Sequence, residues 1–118
     1  MSIKEFARNL EKRTMEFAIR IIQLSSKLPD TPEGKVIRNQ LTKAGTSIGA
    51  NYREANRSRS KADFRNRIKI VESEASECQY WLGIIIKMKW LKPEETEWEY
   101  NEVTELLALF TTISKNSL

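Results

Sequence analysis

Apolar residues fall at Phe64, Ile68, Val71, Ala75, Cys78, Leu82 and Ile85, in alternating steps of four and three without a break. On a helix of 3.6 residues per turn, those steps place all seven side chains on one stripe, the seam along which helices pack side by side. A strand would send alternate members to opposite faces. A single helix cannot bury such a seam, so the rest of the chain has to supply partners.

The same spacing recurs three times. Ile3, Phe6, Leu10, Phe17, Ile21, Leu24 and Leu28, with Thr14 filling the gap, predict a helix over about residues 2–28. Ile37, Leu41, Ala44, Ile48, Asn51 and Ala55 predict a second over about 32–56. The seam helix covers about 61–89, and Val103, Leu106, Phe110 and Ile113, with Leu107 alongside, mark a fourth over about 93–114, with the last residues expected to fray. Pro29-Asp30-Thr31-Pro32 ends the first helix and starts the second, Thr31 as N-cap and Pro32 at the first helical position. Asn56-Arg57-Ser58-Arg59-Ser60 forms the next turn, and Ser60 with Asp63 resembles a capping box. Trp90-Leu91-Lys92-Pro93 forms the third. Three long helices of about 38 Å each, joined by short turns, predict a single all-α domain, an antiparallel up-down-up-down four-helix bundle. Gly45 and Gly49, each costing about 1 kcal/mol relative to alanine, imply a close approach of another helix. A second stripe of Ile70, Trp81, Ile84 and Met88 leaves apolar surface for a subunit contact.

Length and composition narrow the function. A chain of 118 residues can bury a core without metals or disulfides. No apolar run approaches the roughly 18 residues that cross a bilayer. The first residues carry charge without an apolar stretch behind them, so no signal peptide and no membrane are expected, and a cytoplasmic location is the default. There is no histidine, which removes the usual general base, the imidazole metal ligand and the Glu-x-x-His pairs of di-iron bundles. Cys78 lies in the seam and reads as a small buried hydrophobe. Glu72, Glu74 and Glu77 read as a solvated, salt-bridging face rather than a cation site. The expectation is a chain that is not an enzyme and holds no cofactor or metal.

Charge is unevenly placed. The segment from Pro32 to Ser60 has six basic residues against two acidic ones, whereas Pro93 to Leu118 has one lysine against six glutamates. Such a balance suggests an anionic partner or a complementary subunit. Arg53, Arg57, Arg59, Lys61, Arg65 and Lys69 gather around the second turn, the last three spaced four apart along one helix edge. Arg13, Arg20 and Lys27, each seven apart, make a further strip on the first helix. Rows of this kind suit phosphates, and they also suit a plain solvated face. Asn51, on a core stripe with Ser47 and Glu54 beside it, must find partners if buried. A polar network reaching Glu74 or Glu77 is the leading reading, with a ligand pocket and a subunit contact as alternatives.

Thr46-Ser-Ile-Gly-Ala-Asn51-Tyr-Arg-Glu54-Ala, then Ser60-Lys-Ala-Asp-Phe64 and the Glu74…Glu77…Tyr80-Trp-Leu run, resemble a family of bacterial four-helix-bundle proteins. These were first noticed as reading frames in intervening sequences of large-subunit ribosomal RNA genes. The resemblance covers about Phe17 to Leu91. Many members carry proline at the position of Gly49 and glycine at that of Ala55, so bend and turn geometry are expected to differ there. The resemblance implies a homo-oligomer, a ring-shaped pentamer being favoured, and kinship with accessory proteins of diversity-generating retroelements. Those are basic bundles that bind nucleic acid and a reverse transcriptase. The combined expectation is a nucleic-acid-binding bundle, RNA before DNA, using Arg13, Arg20, Arg53, Arg57, Arg59, Lys61, Arg65 and Lys69. A protein-interaction scaffold docking an acidic partner is the alternative.

Overall fold

The computed structural model describes residues 1–117. It contains four helices, α1 (Ile3–Ser25), α2 (Pro32–Ala55), α3 (Lys61–Met88) and α4 (Glu97–Asn116), with a 3₁₀ turn at Pro93–Glu95. The start signals act as expected. The Thr31 hydroxyl accepts from the Gly34 amide at 3.0 Å, and the Ser60 hydroxyl from the Asp63 amide at 3.1 Å. α1 stops three residues before Leu28, because the amides of Lys27 and Leu28 turn back to the carbonyls of Leu24 and Ser25 in a tighter loop. Leu28 is buried all the same. Lys89 ends α3 in the left-handed region at φ 55°, a cap that usually falls to glycine. The Pro93 segment forms only its 3₁₀ turn before α4 begins at Glu97, and α4 runs beyond Ser114, where fraying was expected. Leu118 lies outside the described residues.

Each helix packs on its neighbour in sequence, and α4 returns to touch α1 most sparsely, so α1 and α3 stand diagonally across the bundle. The molecule measures 44 × 26 × 19 Å, its long dimension set by the 28 residues of α3, about 42 Å of helix. All members of the α3 seam from Ile68 to Ile85 are buried, together with Phe17, Ile21, Leu41, Ile48, Val103, Leu106 and Phe110. Each such large side chain contributes about 1.5–3 kcal/mol by leaving water. At Gly45 an added Cβ would stand 2.7 Å from Ile21 Cγ2, and at Gly49 3.1 Å from Thr14 Oγ1. The two glycines therefore let α1 lie against the backbone of α2, the close approach their spacing implies.

Two core expectations fail. Ile3 is 88% exposed and Phe6 41%, since α1 overhangs the bundle at its first turn, where no neighbouring helix covers them. Tyr52, not Asn51, fills the α2 core position, stacking edge-on against Phe110 with ring centroids 5.2 Å apart. The second α3 stripe does leave apolar surface, with Ile70 and Met88 exposed and Trp81 and Ile84 half-buried.

Candidate nucleic-acid interface

Antiparallel packing brings the start of α1, the end of α2, the start of α3 and the end of α4 to one end of the bundle. The Asn56 amide donates to Glu11 Oε2 at 2.9 Å, tying the α2–α3 turn to α1. On the other side, Ser58 to Lys61 line a small hollow with Phe64 of α3, Asn116 at the end of α4 and Ser117 just beyond it. Arg53, Arg57, Arg59, Lys61 and Lys69 are exposed, and Arg65 is half-buried. Among the described residues, none of these six cations is held in an ion pair within 4.0 Å. Lys69 lies farther along α3, in a hollow it shares with Glu72, Glu77 and Tyr80.

The α1 strip has a different fate. Arg13 makes a two-pronged contact with Glu102, Nε to Oε2 at 2.7 Å and Nη2 to Oε1 at 2.8 Å, and reaches Glu105 at 3.2 Å. That hydrogen bonding to Glu102 raises the Arg13 pKa above its ordinary value, against the opposing pull of burial. Arg20 Nε meets the buried Glu99 at 3.1 Å, and its guanidinium lies 4.2 Å from the centre of the Trp98 ring. Lys27 Nζ stands 3.7 Å from Glu95. Every member of the seven-spaced strip faces a glutamate on α4 or the turn before it. Arg13 and Arg20 are therefore spoken for within the fold and drop out of the candidate interface. Much of the acidity of the last segment is the counterpart of this strip.

Two cations that the sequence reading left out take their place. Arg8 and Lys12, exposed and four apart on α1, share with Arg53 the rim of a groove between α1 and α2. Its floor is Met15, Ala18, Thr46, Gly49 and Ala50, and Glu11 and Glu16 also line it. The signal for Arg8 and Lys12 was present: antiparallel topology sets the start of α1 beside the α2–α3 turn. They lie on the edge of α1 that borders α2, whereas the seven-spaced strip lies on the edge that borders α4.

The expected polar network does not form. Asn51 is half-buried and its amide donates to the Ser47 carbonyl of its own helix at 2.9 Å, while the Ser47 hydroxyl donates to Lys43 at 2.6 Å. Glu54 is exposed, and among the described residues no hydrogen bond joins Asn51, Ser47 or Glu54 to Glu74 or Glu77. The physical reason is rotation: with Tyr52 turned into the core, Asn51 sits at the rim and satisfies itself locally. Burial and the neighbouring Glu77 raise the Glu74 pKa, with Lys43 partly offsetting them. Burial drives the Cys78 thiol far above its usual range, so it is an inert core member. No group of three or more His, Cys, Asp or Glu among the described residues could hold a metal ion, and no described helix is long and apolar enough to cross a membrane.

Comparison with known proteins now decides the family. Residues 8–112 match the model of the 23S rRNA-intervening sequence proteins. The chain belongs to that family. Consistent with membership, a crystal structure of a protein of unknown function from the S23 ribosomal protein family of Bacteroides thetaiotaomicron superposes on it with a TM-score of 0.81. The two are 38% identical over 89% of this chain and 97% of that one. No curated protein matches. For this intervening sequence protein, then, the bundle is a family property, and the distribution of its free cations is what bears on function.

Proposed function

We propose that this intervening sequence protein is a non-enzymatic, oligomeric nucleic-acid-binding bundle that holds RNA through phosphates at its basic end. One observation carries the reading: cations from α1, α2, α3 and the turn between the last two converge on one end while remaining out of ion pairs, although α4 has glutamates that neutralise the α1 strip elsewhere. Free guanidinium and ammonium groups displace condensed counterions from a phosphate backbone, and nothing here resembles a base-reading module, so sequence preference is weak. Self-assembly is supported by two exposed apolar strips, Met15, Ile19 and Ile22 on α1 and Ile70, Tyr80 and Met88 on α3. Because α1 and α3 stand diagonally, these strips face away from each other. A contact joining one to the other is head-to-tail and closes into a ring if its rotation allows. Repetition of the basic end around such a ring raises weak single-site affinity. The resemblance to retroelement accessory bundles would make a reverse transcriptase the enzyme such a particle serves.

Fluorescence anisotropy on a labelled RNA across a salt series tests the reading. With about six phosphates engaged, log affinity should fall against log salt with a slope of about −4 to −5. Arg57→Glu combined with Arg59→Glu should weaken binding by at least about tenfold and flatten that slope. Undetectable or salt-independent binding counts against it.

A further inference from the structure

The basic end differs from the opposite end in more than charge. Trp81, Trp90, Trp98, Tyr80 and Tyr100 all lie in the half of the bundle around the α3–α4 turn. Tyr80 is 19 positions beyond Lys61 on the same helix, about 28 Å away along its axis, and the shallow hollow it shares with Lys69 is also lined by Glu72 and Glu77. At the basic end Tyr52 is buried under Phe110, and Phe64 is half-buried, one side packed on the core and the other lining the hollow beside Arg59 and Lys61. Phe6 is the one exposed aromatic ring among the described residues there.

That separation bears on what kind of nucleic acid fits. A single strand is held by a groove that tracks its backbone and by successive aromatic platforms on which unpaired bases stack. The exposed Phe6 and the half-buried edge of Phe64 sit on different helices and do not make a series of platforms, and the groove beside Arg8, Lys12 and Arg53 is floored by aliphatic and small side chains, with no planar ring. A double helix asks for neither. Its bases are already stacked, and it presents two rows of phosphates to a surface that need only be cationic and broad. The cations here are spread over three helices and a turn rather than along one channel. Arg8 and Lys12 come from α1, Arg53 from α2, Arg57 and Arg59 from the turn, and Lys61, Arg65 and Lys69 from α3. Across the 26 Å width of the bundle, a duplex carries the phosphates of two strands where a single strand carries those of one.

From this we infer that the basic end takes double-helical RNA in preference to single strands. The inference rests on the phosphate-binding reading above and narrows it to a substrate class.

The test compares a labelled 20-base-pair RNA duplex with a 20-nucleotide oligouridylate, both bound to the full chain at the same salt. Expected is affinity for the duplex higher by about tenfold or more, a steeper salt slope on the duplex, and no change in duplex binding on Phe6→Ala. Equal affinities overturn the inference and leave phosphate binding standing. So does a preference for oligouridylate that Phe6→Ala abolishes. Absence of salt-dependent binding to either RNA overturns the phosphate-binding reading itself, and the duplex preference with it. Arg57→Glu with Arg59→Glu separates these cases, because it should weaken duplex binding while leaving the helical circular dichroism of the chain unchanged.

Discussion

Two glycines on different helices show how local cost and tertiary gain are settled one residue at a time. Gly45 faces Ile21, whose side chain would meet an added Cβ at 2.7–3.0 Å with three of its atoms. Alanine there gains up to about 1 kcal/mol of helix propensity but overpacks a buried site, which typically costs about 1–3 kcal/mol. Gly45→Ala is therefore expected to destabilise by about 1 kcal/mol in urea unfolding. Gly83 has nothing within 4 Å of the same position. Gly83→Ala should stabilise by about 0.5–1 kcal/mol in the same measurement. Glu74 supplies a charge counterpart. Burial and Glu77 raise its folded pKa, so its contribution to stability is fully present below the ordinary carboxylate range and is lost as pH rises through the folded value. Glu74→Gln should raise the melting midpoint at about pH 7, and the gain should shrink at about pH 3.5, where the native side chain is protonated.

Between elements, the decisive pairing is α1 with α4. These helices share the least backbone contact of the neighbouring pairs, and the Arg13–Glu102, Arg20–Glu99 and Lys27–Glu95 pairs run along their junction. Exposed pairs contribute little, but Glu99 and Glu102 are largely withdrawn from water and Arg13 binds with both prongs. A double-mutant cycle of Arg13→Ala with Glu102→Ala should return a coupling of about 1 kcal/mol. RNA affinity should stay within about twofold in Arg13→Ala, since a paired guanidinium offers no site to phosphate. Arg57→Glu with Arg59→Glu should behave in the opposite way, keeping the melting midpoint and losing affinity. A fall in RNA affinity on Arg13→Ala would mean that the α1–α4 junction opens to admit the ligand.

For the molecule as a whole, the exposed apolar strips on α1 and α3 make self-association the property to measure. Ile19, 44% exposed, lies at the middle of its strip. Ile19→Glu should convert an assembled particle into a monomer in light scattering, with helix content intact, because a carboxylate would have to be desolvated in the contact. Wild-type chain that is monomeric at about 100 μM would remove the avidity argument, since the weak contact would then play no part under ordinary conditions. Loss of self-association would leave the basic end in place, so RNA binding should persist in Ile19→Glu at reduced apparent affinity.

How much of this was legible beforehand follows from where each kind of information resides. The period from Phe64 to Ile85, the Thr31 and Ser60 caps and the proline turns are local, governed by interactions within one or two helical turns, and they determine the four helices and their seams. The charge cluster around Arg57 and Arg59 was equally plain, because its members are adjacent in sequence. Pairing is not local. Whether Arg13 meets water or Glu102 depends on partners 89 positions apart, and whether Asn51 or Tyr52 enters the core depends on the rotation of α2 about its axis by a fraction of a turn. A helical stripe is wider than one residue and fixes that rotation only loosely until neighbouring helices dock. The sequence by itself determined a four-helix bundle with surplus positive charge; the tertiary packing decided which of those charges are spent inside the fold and which remain free at one end.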